Sequence, residues 1–273
     1  MIEARLVSPA SGVGPVEELV HVELPGTRYR VLRGRFSGKA PLLVYLHGLG
    51  CAGSRDWPPV ARSAALAGRA SLWVDLLGFG QSDRPHDFSY ALPEQARLLV
   101  ALLADEAGPV ALVGHSMGGT LALLVAEELL RLGRPPAAVL LAEPNLRAED
   151  ATGSAIAAAM SEEGFVAKWP RWVASLDSPM YRETVRLADP VAFHRTATSL
   201  VQVGQGLIPR LAALPVPVKG YILGERSDAT THMTSLQVAE AGIPVITVEA
   251  SGHGFSEDNP EGFGRAIVKL LEG

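Results

Sequence analysis

Two side chains stand out for the chemistry they could do together. Ser116 lies in "ALVGHSMGGT", between an apolar run and a long stretch with helical periodicity. Gly114 and Gly118 stand two residues before and two after it. A serine in G-x-S-x-G at a strand-to-helix turn fits a nucleophile elbow, where close backbone approach excludes side chains at both flanks. A serine hydroxyl is a weak nucleophile and needs a base within hydrogen-bond reach. Histidine suits that role because its pKa lies near neutrality. Of the seven histidines, His253 lies in "VEASGHGFSEDNP", between the last apolar run and the last helical stretch, and is the expected base. His115 adjoins the serine, but neighbours at such a turn point in different directions. His47 sits in a glycine-rich loop and is expected to be structural.

A third group must hold the histidine tautomer and stabilise the imidazolium. Asp228, closing "YILGERSD", is the expected acid. Glu143, closing "VLLAE", is the alternative, and Glu225 is a weaker third.

"VYLHGLGCAGS" carries Gly48, Gly50 and Gly53 in the order G-x-G-x-x-G after an apolar run. That pattern also opens a dinucleotide site, which needs an acidic residue about 20 positions on. Asp75 comes close to supplying it. A dinucleotide reading leaves Ser116, His253 and His47 without roles. Read as the loop after the third strand, the same stretch aims the Leu49 N–H at a developing oxyanion, with the Met117 N–H as second donor. Losing one such donor typically costs on the order of 3 kcal/mol of transition-state stabilisation.

These groups need a scaffold. "EELVHVELP" and "TRYRVLRGR" alternate apolar and polar residues about Pro25-Gly26, as a hairpin does. Six further strands are read in "PLLVYL", "ASLWVD", "PVALVG", "AAVLLAE", "VPVKGYILG" and "PVITVEA", with helical stretches between them. "WPPVARSAALAG" is expected as a helix with prolines in its first turn. The fold class is therefore α/β: a mostly parallel eight-stranded sheet with helices on both faces. The whole chain, 1–273, reads as one domain. At about 145–210 strands give way to helical pieces, "SAIAAAMSEEGFVAKWPRWVASL" and "PMYRETVRLADPVAFHRTATSLVQ". An insertion leaving the carboxyl end of the sixth strand is placed to cover a site, so it is expected to be a lid. Its Phe165, Trp169 and Trp172 are candidate substrate contacts.

Bulk properties narrow the class. The 273 residues are 48% hydrophobic, enough for one sizeable core. Net charge is −5 and no basic run exists, which argues against nucleic acid. Cys51 is the single cysteine, so no intramolecular disulfide forms, which fits a reducing compartment. "MIEARLVSPASG" lacks the apolar segment of a secretory signal, and no apolar stretch reaches membrane-spanning length. A cytoplasmic protein acting on a small molecule, with no cofactor and no metal, is the expectation.

"LHGLG", "DLLGFGQSD", "GHSMGG" and "SGH", in this order, resemble the signatures of the α/β-hydrolase superfamily over nearly the whole chain. The resemblance implies a serine hydrolase that cleaves an ester, lactone or related acyl bond. Its alternatives are a low-turnover binding protein or receptor and a serine-based C–C hydrolase or lyase. Ser116 departs from the haloalkane dehalogenases and epoxide hydrolases of that superfamily, which carry aspartate there. Many members place the acid in a G-x-x-D turn. Here the turn runs Gly224-Glu225-Arg226-Ser227-Asp228, one residue longer, which keeps Glu143 beside Asp228 as a candidate.

Overall fold

A computed structural model describes residues 15–273. The N-terminal segment read for a secretory signal lies outside the described residues. The strands are β1 (Val16–Leu24), β2 (Thr27–Phe36), β3 (Lys39–Leu46), β4 (Arg69–Val74), β5 (Val110–His115), β6 (Ala138–Ala142), β7 (Val218–Gly224) and β8 (Val245–Val248). They form one sheet in the order β1-β2-β4-β3-β5-β6-β7-β8. β2 runs antiparallel to β1 and β4, and the pairs from β4 through β3 to β8 are parallel.

The helices are α1 (Gly53–Ala61), α2 (Leu92–Leu102), α3 (Met117–Arg131), α4 (Thr152–Ala158), α5 (Glu162–Ala174), α6 (Pro179–Val185), α7 (Pro190–Val203), α8 (Leu207–Ala213), α9 (Ala229–Glu240), α10 (Phe255–Asp258) and α11 (Pro260–Glu272). Alternation along the central strands builds two cores. Leu42, Val44 and Leu46 of β3 and Leu112 of β5 join the core under α2, α3 and α9. Leu43, Tyr45, Ala111 and Val113 face the other way, toward Trp57 of α1 and Phe263 and Ile267 of α11. Side chains that alternate across a strand, with both faces covered, give the near-continuous apolar runs seen in the sequence.

Between β6 and β7 the described chain is helical, from α4 to α8. The two long pieces expected there each divide. The first breaks at Ser161, whose hydroxyl accepts the Gly164 N–H and starts α5. The second breaks at Asp189, whose carboxylate accepts the Val191 and Ala192 N–H groups ahead of α7. Both are side-chain caps that compete with continued helix.

α1 also differs from expectation. It begins at Gly53, so Pro58 and Pro59 fall beyond its first turn. The cause is Asp75, fully buried at the end of β4. Its carboxylate accepts the Ser54 N–H (2.8 Å), the Ser54 hydroxyl (3.0 Å) and the Gln81 N–H (2.9 Å). Asp75 thus ties two loops together at the carboxyl edge of the sheet and is not presented to a nucleotide. We expect Asp75→Ala to lower unfolding free energy by about 3 kcal/mol, because three hydrogen bonds from Ser54 and Gln81 lose their acceptor. Urea titration checks this. An unchanged midpoint would show that those donors find other partners.

Candidate active site

The candidate site is built at the carboxyl ends of β3, β5, β6 and β7 and the loop after β8. Ser116 follows β5 and caps α3 with φ 54° and ψ −125°. This sparsely populated backbone region is the kind found at functional turns. The turn is possible because its flanks are bare. A Cβ at Gly114 would lie 2.2 Å from the Gly118 carbonyl oxygen, and one at Gly118 would lie 2.2 Å from that of Leu46. Ser116 N–H continues the sheet ladder to the Ala142 carbonyl (2.8 Å). Met117 is the first residue of α3, so its N–H has no acceptor within the helix. The helix's positive end lies at the same place.

The two candidate acids take different partners. Asp228 caps α9, accepting the Thr231 N–H at 2.8 Å. That bond holds its carboxyl below the usual range. Glu143, next after β6, instead meets the histidine: His253 Nδ1 lies 2.6 Å from Glu143 Oε2. The Glu143 side chain is almost fully buried, while that of His253 is half exposed. Glu143 Oε1 accepts the Gly224 N–H (2.7 Å) and the Ser227 hydroxyl (2.5 Å). The carboxylate is therefore satisfied on both oxygens, the condition under which a buried charge is tolerated. Glu143 has φ 44° and, with Ser116, is one of four non-glycine residues with positive φ among the described residues.

A sequence signal for this arrangement existed. Three residues after Gly224, where a G-x-x-D turn would place its aspartate, stands Ser227. That serine donates to the carboxylate from the neighbouring strand. Glu225 accepts the Ala250 N–H and stays in the exposed loop layer.

Two other histidines lie close to this group. His47 is fully buried. Its Nε2 accepts the Leu76 N–H (3.1 Å), which places the proton on Nδ1, and Nδ1 donates to the Gly48 carbonyl (2.8 Å). The Cys51 N–H donates to the same carbonyl. In a trans peptide the N–H points opposite to the C=O, so these two bonds set the direction of the Leu49 N–H. The His115 ring packs against His253 with centroids 4.6 Å apart. Phe255 meets the His115 ring edge-on at 5.8 Å. A Cβ at Gly48 would lie 3.5 Å from both His115 Nδ1 and Ser116 Cβ, which places the glycine loop beside the elbow.

The proposed aromatic contacts divide. Phe165 is buried within the insertion, stacked with Phe193 at 5.6 Å. Trp169 and Trp172 are partly buried and pack on the same cluster. Phe193, a further aromatic residue of the insertion, has its Cε2 2.9 Å from where a Cβ at Gly50 would lie. Among the described residues no group of His, Cys, Asp and Glu is arranged to hold a metal ion. Among them no helix is long and apolar enough to cross a membrane.

Residues 43–266 match the model of the alpha/beta hydrolase family, and the chain belongs to that family. It is similar to a putative hydrolase, LipZ, of Mycobacterium tuberculosis, with 38% identity over 82 residues, 30% of this chain and 27% of that protein. The chain spans about a quarter to a third of the length of the curated relatives it matches. Among solved structures, a thermophilic esterase from Thermogutta terrifontis is 18% identical with a TM-score of 0.74, over 95% of this chain and 98% of the other. The enol-lactonase from Burkholderia xenovorans LB400 is 20% identical with a TM-score of 0.71, over 90% and 97%. At these identities the likeness is one of fold.

Burial holds the pKa of His47 below the ordinary histidine value, and burial followed by the charge of His253 holds that of His115 well below it. In the unfolded chain each returns to about 6.5. Above that pH both states are neutral at these rings. Below it the unfolded chain binds protons that the folded chain does not. Stability should therefore fall as pH drops through 6.5, by up to ~1.4 kcal/mol per pH unit for each ring. Urea unfolding at pH 7.5, 6.5 and 5.5 measures this, and a flat profile would show that both rings protonate as readily in the fold.

Proposed function

We propose that the protein is a serine hydrolase cleaving an ester, lactone or related acyl bond of a small, largely apolar molecule. The observation that carries this reading is the 2.6 Å contact between His253 Nδ1 and Glu143 Oε2 beside an elbow serine. With Nδ1–H donated to Glu143, Nε2 keeps its lone pair for the Ser116 proton. Ser116 Oγ attacks the carbonyl carbon and its proton passes to His253. Glu143 stabilises the imidazolium and stays ionised. The oxyanion takes the N–H groups of Leu49 and Met117. Collapse expels the leaving group, which receives the proton from His253 and leaves an acyl-Ser116. Water, deprotonated by His253, then attacks the acyl carbon and restores the serine. No metal or organic cofactor enters these steps.

The insertion from α4 to α8 acts in this reading as a lid on a single α/β domain. Its aromatic cluster, which reaches Gly50 through Phe193, forms the apolar wall against which substrate is held. The family match supports hydrolysis, and the esterase and lactonase of like fold are consistent with acyl chemistry.

Intact mass after a fluorophosphonate probe tests the nucleophile. One adduct on the wild type, absent in Ser116→Ala, is expected. A folded wild type that takes no adduct would move a binding role to the front. The acid is tested by turnover of p-nitrophenyl esters. Glu143→Gln should lower kcat by about 10³- to 10⁴-fold, since it no longer selects the productive tautomer or offsets the imidazolium charge. Asp228→Asn should keep near-wild-type kcat. The reverse pattern would return the role to Asp228.

A further inference from the structure

The oxyanion loop is gripped from the insertion. Tyr181, in α6, donates its hydroxyl to the Leu49 carbonyl at 2.9 Å. This carbonyl belongs to the peptide between Leu49 and Gly50. The peptide before it, between Gly48 and Leu49, is already held through the Gly48 carbonyl by His47 and Cys51. The two peptide planes flanking the Leu49 Cα are thus fixed from two independent sources. One lies in the loop and sheet, the other in a helix more than 130 residues away in sequence.

The grip is close. Gly50 has φ +75°, and a Cβ there would lie 2.8 Å from Tyr181 Oη, 2.9 Å from Val185 Cγ2 and 2.9 Å from Phe193 Cε2. The glycine is needed for its left-handed backbone and for this approach. Tyr181 is itself fixed. Ser178 Oγ caps α6 by accepting the Tyr181 N–H (3.1 Å), and Thr184 Oγ1 donates to the Tyr181 carbonyl (2.9 Å). The segment after α6 is tied to the body of the protein. Asp189 N–H donates to the Gly78 carbonyl (2.8 Å), and Arg84 donates to the Leu187 carbonyl (2.7 Å). Burial pushes the Tyr181 phenol well above its ordinary value, which favours the protonated, donating form.

We infer that Tyr181 is a positioning residue for the oxyanion donor Leu49: α6 holds the loop in the geometry that receives charge in the transition state. The inference rests on the function proposed above. A donor aimed at developing charge acts on the transition state more than on bound substrate. Loosening its support should therefore appear in kcat and leave KM nearly unchanged.

The test is Tyr181→Phe, which removes one oxygen, with Met180→Ala on the exposed side of the same helix as control. For p-nitrophenyl butyrate, kcat should fall about tenfold, the size expected for one lost hydrogen bond, with KM within about twofold. Affinity for a trifluoromethyl ketone, which forms a tetrahedral oxyanion on serine, should fall by the same factor. Deuterium exchange at the amides of residues 49–51 should quicken, while Met180→Ala matches the wild type in all three. Ser178→Ala, which loosens α6 from its N-terminus, should move them less and in the same direction. Wild-type kcat and wild-type exchange in Tyr181→Phe would overturn the inference. If the wild type itself turns over no ester and takes no fluorophosphonate, the proposed function fails instead. Exchange at 49–51 still decides whether Tyr181 holds the loop.

Discussion

A carboxylate taken out of water has to find its donors inside the protein, and Glu143 finds three. They come from three places: the Gly224 N–H at the end of β7, the Ser227 hydroxyl in the following loop, and His253 Nδ1 after β8. Satisfying one side chain thus fixes how β6, β7 and the loop after β8 end relative to one another. Parallel pairing of β6 with β7 puts Ala142 opposite Ile222 and brings Gly224 to within one position of the place opposite Glu143. A side chain at Gly224 would strike the Gly252 carbonyl at 2.5 Å, so the histidine loop and the β7 turn are packed backbone to backbone. The positive φ of Glu143 aims the carboxylate across the strand ends into that group of donors.

Around this contact the site is assembled from backbone rather than from a large set of side chains. The elbow at Ser116 closes because α3 lies on the Leu46 carbonyl with no Cβ between them. The loop after β3 is held by its own carbonyl at Gly48, by His47 from the core and by Tyr181 from the insertion. The neutral tautomer of His47 is imposed by the Leu76 N–H. Fixed dipoles of this kind need little reorganisation when charge develops, the condition for electrostatic stabilisation of an acyl-transfer transition state. One helix of the insertion thus contacts the loop that carries the candidate oxyanion donor.

Much of the architecture was legible in the chain. The alternation of apolar runs and helical stretches predicts the eight strands and the break between β6 and β7, because the central parallel strands are buried on both faces while the β1–β2 hairpin alternates apolar with polar residues. The glycines around Ser116 announce a turn that no other residue allows. The caps inside the insertion were harder to see. Ser161 and Asp189 interrupt patterns that read as continuous helix, since a single side chain accepting the next N–H groups outweighs weak local propensity.

Local pattern determined the fold class, the elbow, the late histidine and the glycine loop, since each is written in residues adjacent along the chain. Which acid faces His253 was decided only by tertiary structure. Asp228 and Glu143 both follow strands at the same sheet edge, Glu143 directly after β6 and Asp228 four residues beyond β7. Their difference is one of partners: Asp228 is taken by the Thr231 N–H at the start of α9, while Glu143 is surrounded by donors from segments 81 to 110 residues away. The hold of Tyr181 on Leu49 is likewise invisible in sequence. A hydrogen bond spanning 132 residues leaves no periodicity or spacing to read, and it exists because the insertion folds back over the carboxyl edge of the sheet.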